Sequence, residues 1–102
     1  MIDLIKQHRE QIAALCRRYG IRRLELFGSA ASGAFDAGRS DIDFFYEFDL
    51  TNPEGLADRF FEFQRELQNL LGANVDLVSA PDATNPYFLQ VANQNRLTLY
   101  AA

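Results

Sequence analysis

Apolar positions in the first twenty residues recur at steps that only a helix places on one side. Ile5, Ile12, Leu15, Cys16 and Tyr19 form that stripe and Gly20 follows as a stop, so the spacing predicts an amphipathic helix over 2–19. The period then drops to two. Residues 22–27, RRLELF, alternate as a strand and break at Gly28-Ser29, where Ser29 is placed to cap a short helix through 30–34. Residues 41–48, DIDFFYEF, sort into two faces, Ile42, Phe44, Tyr46 and Phe48 on one and Asp41, Asp43, Phe45 and Glu47 on the other. Helical spacing returns with Leu56, Phe60, Phe63, Leu67, Leu70 and Leu71, introduced by Asn52 as cap and Pro53 as first helical residue and closed by Gly72. Residues 74–79, NVDLVS, read as a third strand with Asp76 and Val78 opposite Val75 and Leu77. YFLQVANQNR at 87–96 predicts a last helix, with Tyr87, Phe88 or Leu89, Val91 and Ala92 as its apolar contacts, and LTLY at 97–100 a short terminal strand. The order α-β-α-β-α-β-α predicts an α/β (α+β) fold, a small mixed sheet with helices packed on it.

Composition narrows this picture. A chain of 102 residues that is 48% hydrophobic suits one domain, 1–102, around one core. There is no repeat, low-complexity tract or linker. The net charge of −4 argues against a protein that coats a long nucleic acid, since such binding rests on clustered Lys and Arg. Charge is uneven, however: residues 1–39 carry seven basic and four acidic residues, and residues 40–102 carry three and ten. Arg17, Arg18, Arg22 and Arg23 therefore fit either a solvated face or a local anion-attracting patch. No apolar run approaches the roughly 20 residues that span a bilayer, and charges run through residues 1–20, so a cytoplasmic protein without membrane contact is expected. Cys16, the single cysteine, permits neither an internal disulfide nor a cysteine-rich zinc site and reads as a small core residue. His8, the single histidine, reads as a surface or partner-facing residue. Phe61 lies off the apolar stripe of its helix, either as a flanking core residue or as part of a partner surface.

The candidate chemistry lies where strand preferences are violated. Strands are depleted in Asp, yet Asp41 and Asp43 stand one residue apart on one face of the second strand, and Asp76 interrupts the apolar VDLV of the third. Two carboxylates that close repel each other unless a cation intervenes, and magnesium favours hard oxygen ligands. Gly28-Ser29, at a strand-to-helix turn, offers free backbone N–H groups and, through glycine, close approach to a phosphate. Three carboxylates around two metal ions, facing a turn that grips phosphate, suit in-line attack on a nucleotide phosphorus.

GSAASGAFDAGRSDIDFFYEF, with VDLV downstream, resembles the signature of the polymerase-beta-like nucleotidyltransferase superfamily: a Gly-Ser, a spacer, Asp-x-Asp, and a third acidic strand residue. The short chain and its ending, NPYFLQVANQNRLTLYAA, are most similar to the MNT group, the minimal nucleotidyltransferases that act as antitoxins beside HEPN-domain toxins. The resemblance implies transfer of AMP from ATP with two Mg2+ ions, in a type VII toxin–antitoxin pair, to a hydroxyl of the cognate HEPN toxin, expected to be a tyrosine. By position Gly28 and Ser29 would hold the triphosphate, Asp41 and Asp43 would ligate both ions, and Asp76 would ligate the catalytic ion and help to activate the acceptor. Two departures stand out. The eleven residues between Ser29 and Asp41 make a spacer one longer than is usual in the group. The arginine common three residues after the serine is Ser32, for which Arg39 is a candidate substitute. Alternatives are an antitoxin that neutralises by covering its toxin, with Phe61 and Tyr87 in the contact, and a nucleotidyltransferase of a small molecule.

Overall fold

A computed structural model describes residues 2–32, 41–51, 53–79 and 96–102. The described elements follow the order α1 (Asp3–Gln7), α2 (Arg9–Tyr19), β1 (Ile21–Phe27), α3 (Ser29–Ser32), β2 (Ile42–Phe48), α4 (Leu56–Leu71), β3 (Val75–Ser79) and β4 (Leu97–Ala101). The four strands form one sheet in the order β3-β2-β1-β4. β1 pairs antiparallel with β2 and with β4, whereas β2 and β3 are parallel and are joined through α4. The mixed sheet with helices is the predicted fold class. The expected helix at 87–96 and its contact Tyr87 lie outside the described residues, apart from Arg96, which precedes the expected terminal strand β4.

The core occupies one face of this sheet. Ile5, Ile12 and Cys16 from α1 and α2 and Phe63 and Leu67 from α4 meet Leu24, Leu26, Ile42, Phe44 and Val75 from the strands, all fully buried or nearly so. Phe63, Leu67 and Leu71 recur every fourth residue, the spacing that keeps one helix side against a flat sheet. Tyr19 and Phe63 touch with ring centroids 6.0 Å apart, tying α2 to α4.

Two helix boundaries differ from the pattern-based expectation. The stripe over 2–19 is broken at His8, whose backbone (φ −108°, ψ 13°) leaves the helical region, whose N–H donates to Ile5 and whose Nδ1 donates to the Leu4 carbonyl at 2.8 Å. A side chain that competes for a helix carbonyl ends one ladder, and Ile12 N–H to His8 O starts the next. The long helix begins at Leu56, not at Pro53, because Gly55 takes the left-handed conformation (φ 70°) that no helix interior admits. Asn52, the expected cap, lies outside the described residues. No described helix is long and apolar enough to cross a membrane.

Candidate active site

The sheet face opposite the core carries the polar residues. β1 contributes Glu25 and Phe27, β2 contributes Asp43 and Phe45, and β3 contributes Asp76 and Val78, because strand side chains alternate and paired residues share a side. Register then fixes neighbours. Asp43 pairs with Phe27 on one flank and with Asp76 on the other, so the two carboxylates stand side by side across the parallel pair.

Asp43 and Asp76 occupy paired positions on adjacent parallel strands, and the surroundings favour the protonated form of Asp43. Burial first, then the negative charges of Asp76 and Asp41, push the Asp43 carboxyl up to about 6 from its ordinary 3.8. Asp43 is half-buried, while Asp76 and Asp41 are exposed. Asp41, one residue before β2, acts on the pair through its charge. Among the described residues no three His, Cys, Asp or Glu side chains form a group able to hold a metal ion. The structure thus joins Asp43 to Asp76 directly and brings Asp41 within electrostatic reach.

The Gly-Ser turn abuts this pair. Gly28, directly after β1, has φ +74°, and a Cβ added there would stand 2.7 Å from Asp43 Oδ2. Glycine is therefore demanded twice, by the left-handed backbone and by the carboxylate against its Cα. Ala31 N–H donates to Gly28 O, and α3 follows with Ala30 and Ala31 buried beneath it. Ser29 is the first residue of α3. Its side chain, and the whole of Arg39, lie outside the described residues.

A second charged cluster, announced by no motif in the sequence, lies on this face. Glu25, only 3% exposed, is the buried charged residue among those described. Its Oε1 accepts from Arg96 Nη2 at 2.7 Å and lies 2.7 Å from Arg23 Nε, and Oε2 accepts from Arg96 Nε. The Arg96 guanidinium also lies over the Phe45 ring, 5.0 Å from its centroid, and Phe45 stacks on Phe27 at 4.1 Å. A Glu set between Leu24 and Leu26, two residues after Arg23 on the same strand face, is the available signal. Its partner Arg96, 71 residues away, is visible in no local pattern.

A cleft of about 240 Å3 lies elsewhere, at the far end of β2 and β3, lined by Arg22, Tyr46, Glu47, Phe48, Leu50 and Ser79. None of the predicted site residues lines it.

Residues 8–98 match the sequence profile of the family described as "Nucleotidyltransferase domain". The chain belongs to that family. A protein of Methanocaldococcus jannaschii named "Putative protein adenylyltransferase" is 36% identical to this nucleotidyltransferase over 85 residues, which are 83% of this chain and 80% of the relative. Among solved structures, one described as a "putative minimal nucleotidyltransferase" superposes with a TM-score of 0.71 at 28% identity, covering 93% of this chain and 92% of the other. An MNT antitoxin solved in complex with a tri-AMPylated Shewanella oneidensis HEPN toxin superposes with a TM-score of 0.61 at 21% identity. That structure covers 95% of this nucleotidyltransferase and 72% of its own chain, and establishes a shared fold.

Proposed function

We propose that this nucleotidyltransferase transfers AMP from ATP to a hydroxyl of a partner protein, a tyrosine of a cognate HEPN toxin, and thereby acts as its antitoxin. The observation that carries the reading is the Asp43–Asp76 pair beside Gly28. It puts an acid pair beside a glycine turn whose backbone, lacking a side chain, a phosphate can approach. The M. jannaschii relative, named for protein adenylyl transfer, supports the choice of nucleotide and acceptor class. The MNT antitoxin of the same fold supports a HEPN partner.

The donor set fits a divalent cation. Asp43 and Asp76 are hard oxygen ligands at paired positions of adjacent strands, and the negative charge that raises the Asp43 carboxyl is what a cation would relieve. Asp43 and Asp76 are the residues that would hold Mg2+, and Asp41 adds its negative charge from one residue before β2. When bound, the ions would neutralise charge on the triphosphate and lower the pKa of the attacking hydroxyl. Gly28 and Ser29 bind the phosphate tail at the start of α3. The Asp76 carboxylate, exposed at the edge of the pair, takes the proton of the incoming hydroxyl.

The test incubates the protein with a co-encoded HEPN protein, ATP and MgCl2 and weighs both chains by mass spectrometry. AMP-sized increments on the partner are expected, and none with Asp43→Asn. An unmodified partner that is nevertheless silenced in cells by wild type and Asp43→Asn alike would overturn the catalytic reading. It would favour neutralisation by contact alone, a reading to which Ser32, in place of the group's usual arginine, lends weight.

A further inference from the structure

Burying a carboxylate is expensive unless it is paired, and a buried ion pair is by itself a poor source of stability. The Glu25 cluster therefore calls for a reason beyond stability. Its geometry supplies one. Arg96 Nε and Nη2, along one edge of the guanidinium, donate to the two oxygens of Glu25, so the plane of the guanidinium is fixed, as only a bidentate fork can fix it. That plane covers Phe45, and Phe45 stacks on Phe27 with ring planes 20° apart. Phe45 is two residues from Asp43 on the same face of β2. Phe27 pairs with Asp43 across the strands and leads directly into Gly28. The stack thus adjoins both sides of one tight place in the site, where the Asp43 carboxylate fills the space a Cβ on Gly28 would need.

We propose that Arg96, locked by Glu25, is a positioning residue that presses Phe45 onto Phe27 and so sets the distance between the Gly28 turn and Asp43. The proposal rests on the transfer activity above for its kinetic consequence, but not for its structural one. Arg23 makes the cluster tolerant of change: with Arg96 replaced, Glu25 keeps one guanidinium at 2.7 Å, so the variants retain a paired carboxylate. A lysine at 96 keeps the charge and loses the fork.

The experiment uses Arg96→Gln, Arg96→Lys and Phe45→Leu, with Leu99→Ala as a control that loosens the same strand β4 through the core. The backbone amide resonances of Phe27, Gly28 and Asp43 are read in 1H–15N spectra of the free protein, and transfer kinetics are read with Mg2+ and ATP. Arg96→Gln is expected to move the Gly28 and Asp43 amides more than Leu99→Ala does at a comparable loss of Tm. It is expected to lower kcat at least about tenfold, as small misplacements of reacting groups do, with KM for ATP within about twofold of wild type. Arg96→Lys falls between, and combining Arg96→Gln with Phe45→Leu costs no more than the worse single change, because both act through one contact. Unmoved Gly28 and Asp43 resonances, equal shifts in Leu99→Ala, or losses that multiply in the double variant would overturn the proposal. If the wild-type protein transfers no AMP, the functional reading fails while the resonances still decide the positioning role.

Discussion

Asp43 is the residue at which local chemistry and fold stability conflict most directly. Its carboxyl titrates near 6 in the folded chain and near 3.8 when unfolded. Between those values the folded state holds a proton that the unfolded state has released, so stability falls as pH rises from about 4 to 6 and then stays at the lower level. Asp43→Asn removes the charge and keeps a hydrogen-bond donor for Asp76. In metal-free buffer at pH 7 it should stabilise the fold by about 1 kcal/mol, a figure reduced for solvent screening at a half-exposed group, and raise Tm by a few degrees. Thermal melts at pH 4 and 7 check this, and an equal Tm difference at both values would refute the assignment. Cys16 is the opposite case. Burial pushes its thiol up to about 12 from 9.0, with a small opposing pull from Arg17, so it stays neutral and inert at physiological pH. Thiol reagents should label the protein only as fast as it unfolds, and stability should begin to drop only as pH rises past about 9. Rapid labelling of folded protein would contradict that burial.

At the scale of elements, helix ends decide how the layers meet. Gly20 and Gly72 close α2 and α4 in the same left-handed conformation, at φ 73° and 64°. Gly72 has open space where a Cβ would go, whereas at Gly20 a Cβ would lie 2.5 Å from Arg59 Nη1. Arg59 Nη1 donates to the Tyr19 carbonyl at the end of α2, and its guanidinium lies 5.5 Å from the Phe48 ring centroid. Gly72→Ala should therefore cost about 1–2 kcal/mol from backbone strain alone. Gly20→Ala should cost more by roughly the worth of one displaced hydrogen bond, about 1 kcal/mol. Urea denaturation of both variants measures the difference, and equal costs would mean that Arg59 relaxes freely. In the α4 core, Phe63→Ala should cost about 3–5 kcal/mol, because the fully buried ring fills the seam with α2. Stability within 1 kcal/mol of wild type would show that this seam collapses around the gap.

For the molecule as a whole, the division of the sheet into two faces separates stability from chemistry. One face packs the helices, and the other gathers Asp43, Asp76, Glu25 and their aromatic neighbours. A ligand that binds only the folded state raises its melting temperature by mass action. Added MgCl2 should accordingly raise the Tm of the wild-type protein by relieving the Asp43–Asp76 conflict, and leave Asp43→Asn nearly unmoved. A wild-type Tm indifferent to millimolar Mg2+ would remove the cation from the proposal.

How far the chain could be read in advance follows from the range of each interaction. Periodicity placed α2, α4 and the three strands β1 to β3 to within a few residues, because burial of one side imposes a repeat that any short window displays. It also put Asp41, Asp43 and Asp76 among the candidate residues, since Asp in a strand is conspicuous by itself. It could not see the break at His8, where a side chain captures a carbonyl four residues back, nor the start of α4 set by the backbone of Gly55.

The sequence alone determined which sides of the helices and strands are apolar, where glycine must stand, and which acids are out of place, for these depend on neighbours within a few bonds or turns. Only the tertiary structure decided that Asp43 faces Asp76 across a parallel pair, that Gly28 closes on Asp43, and that Glu25 joins Arg23 to Arg96 over Phe45. Those contacts depend on strand order and register, which are set by how the whole core packs, and no single segment of the chain carries that information.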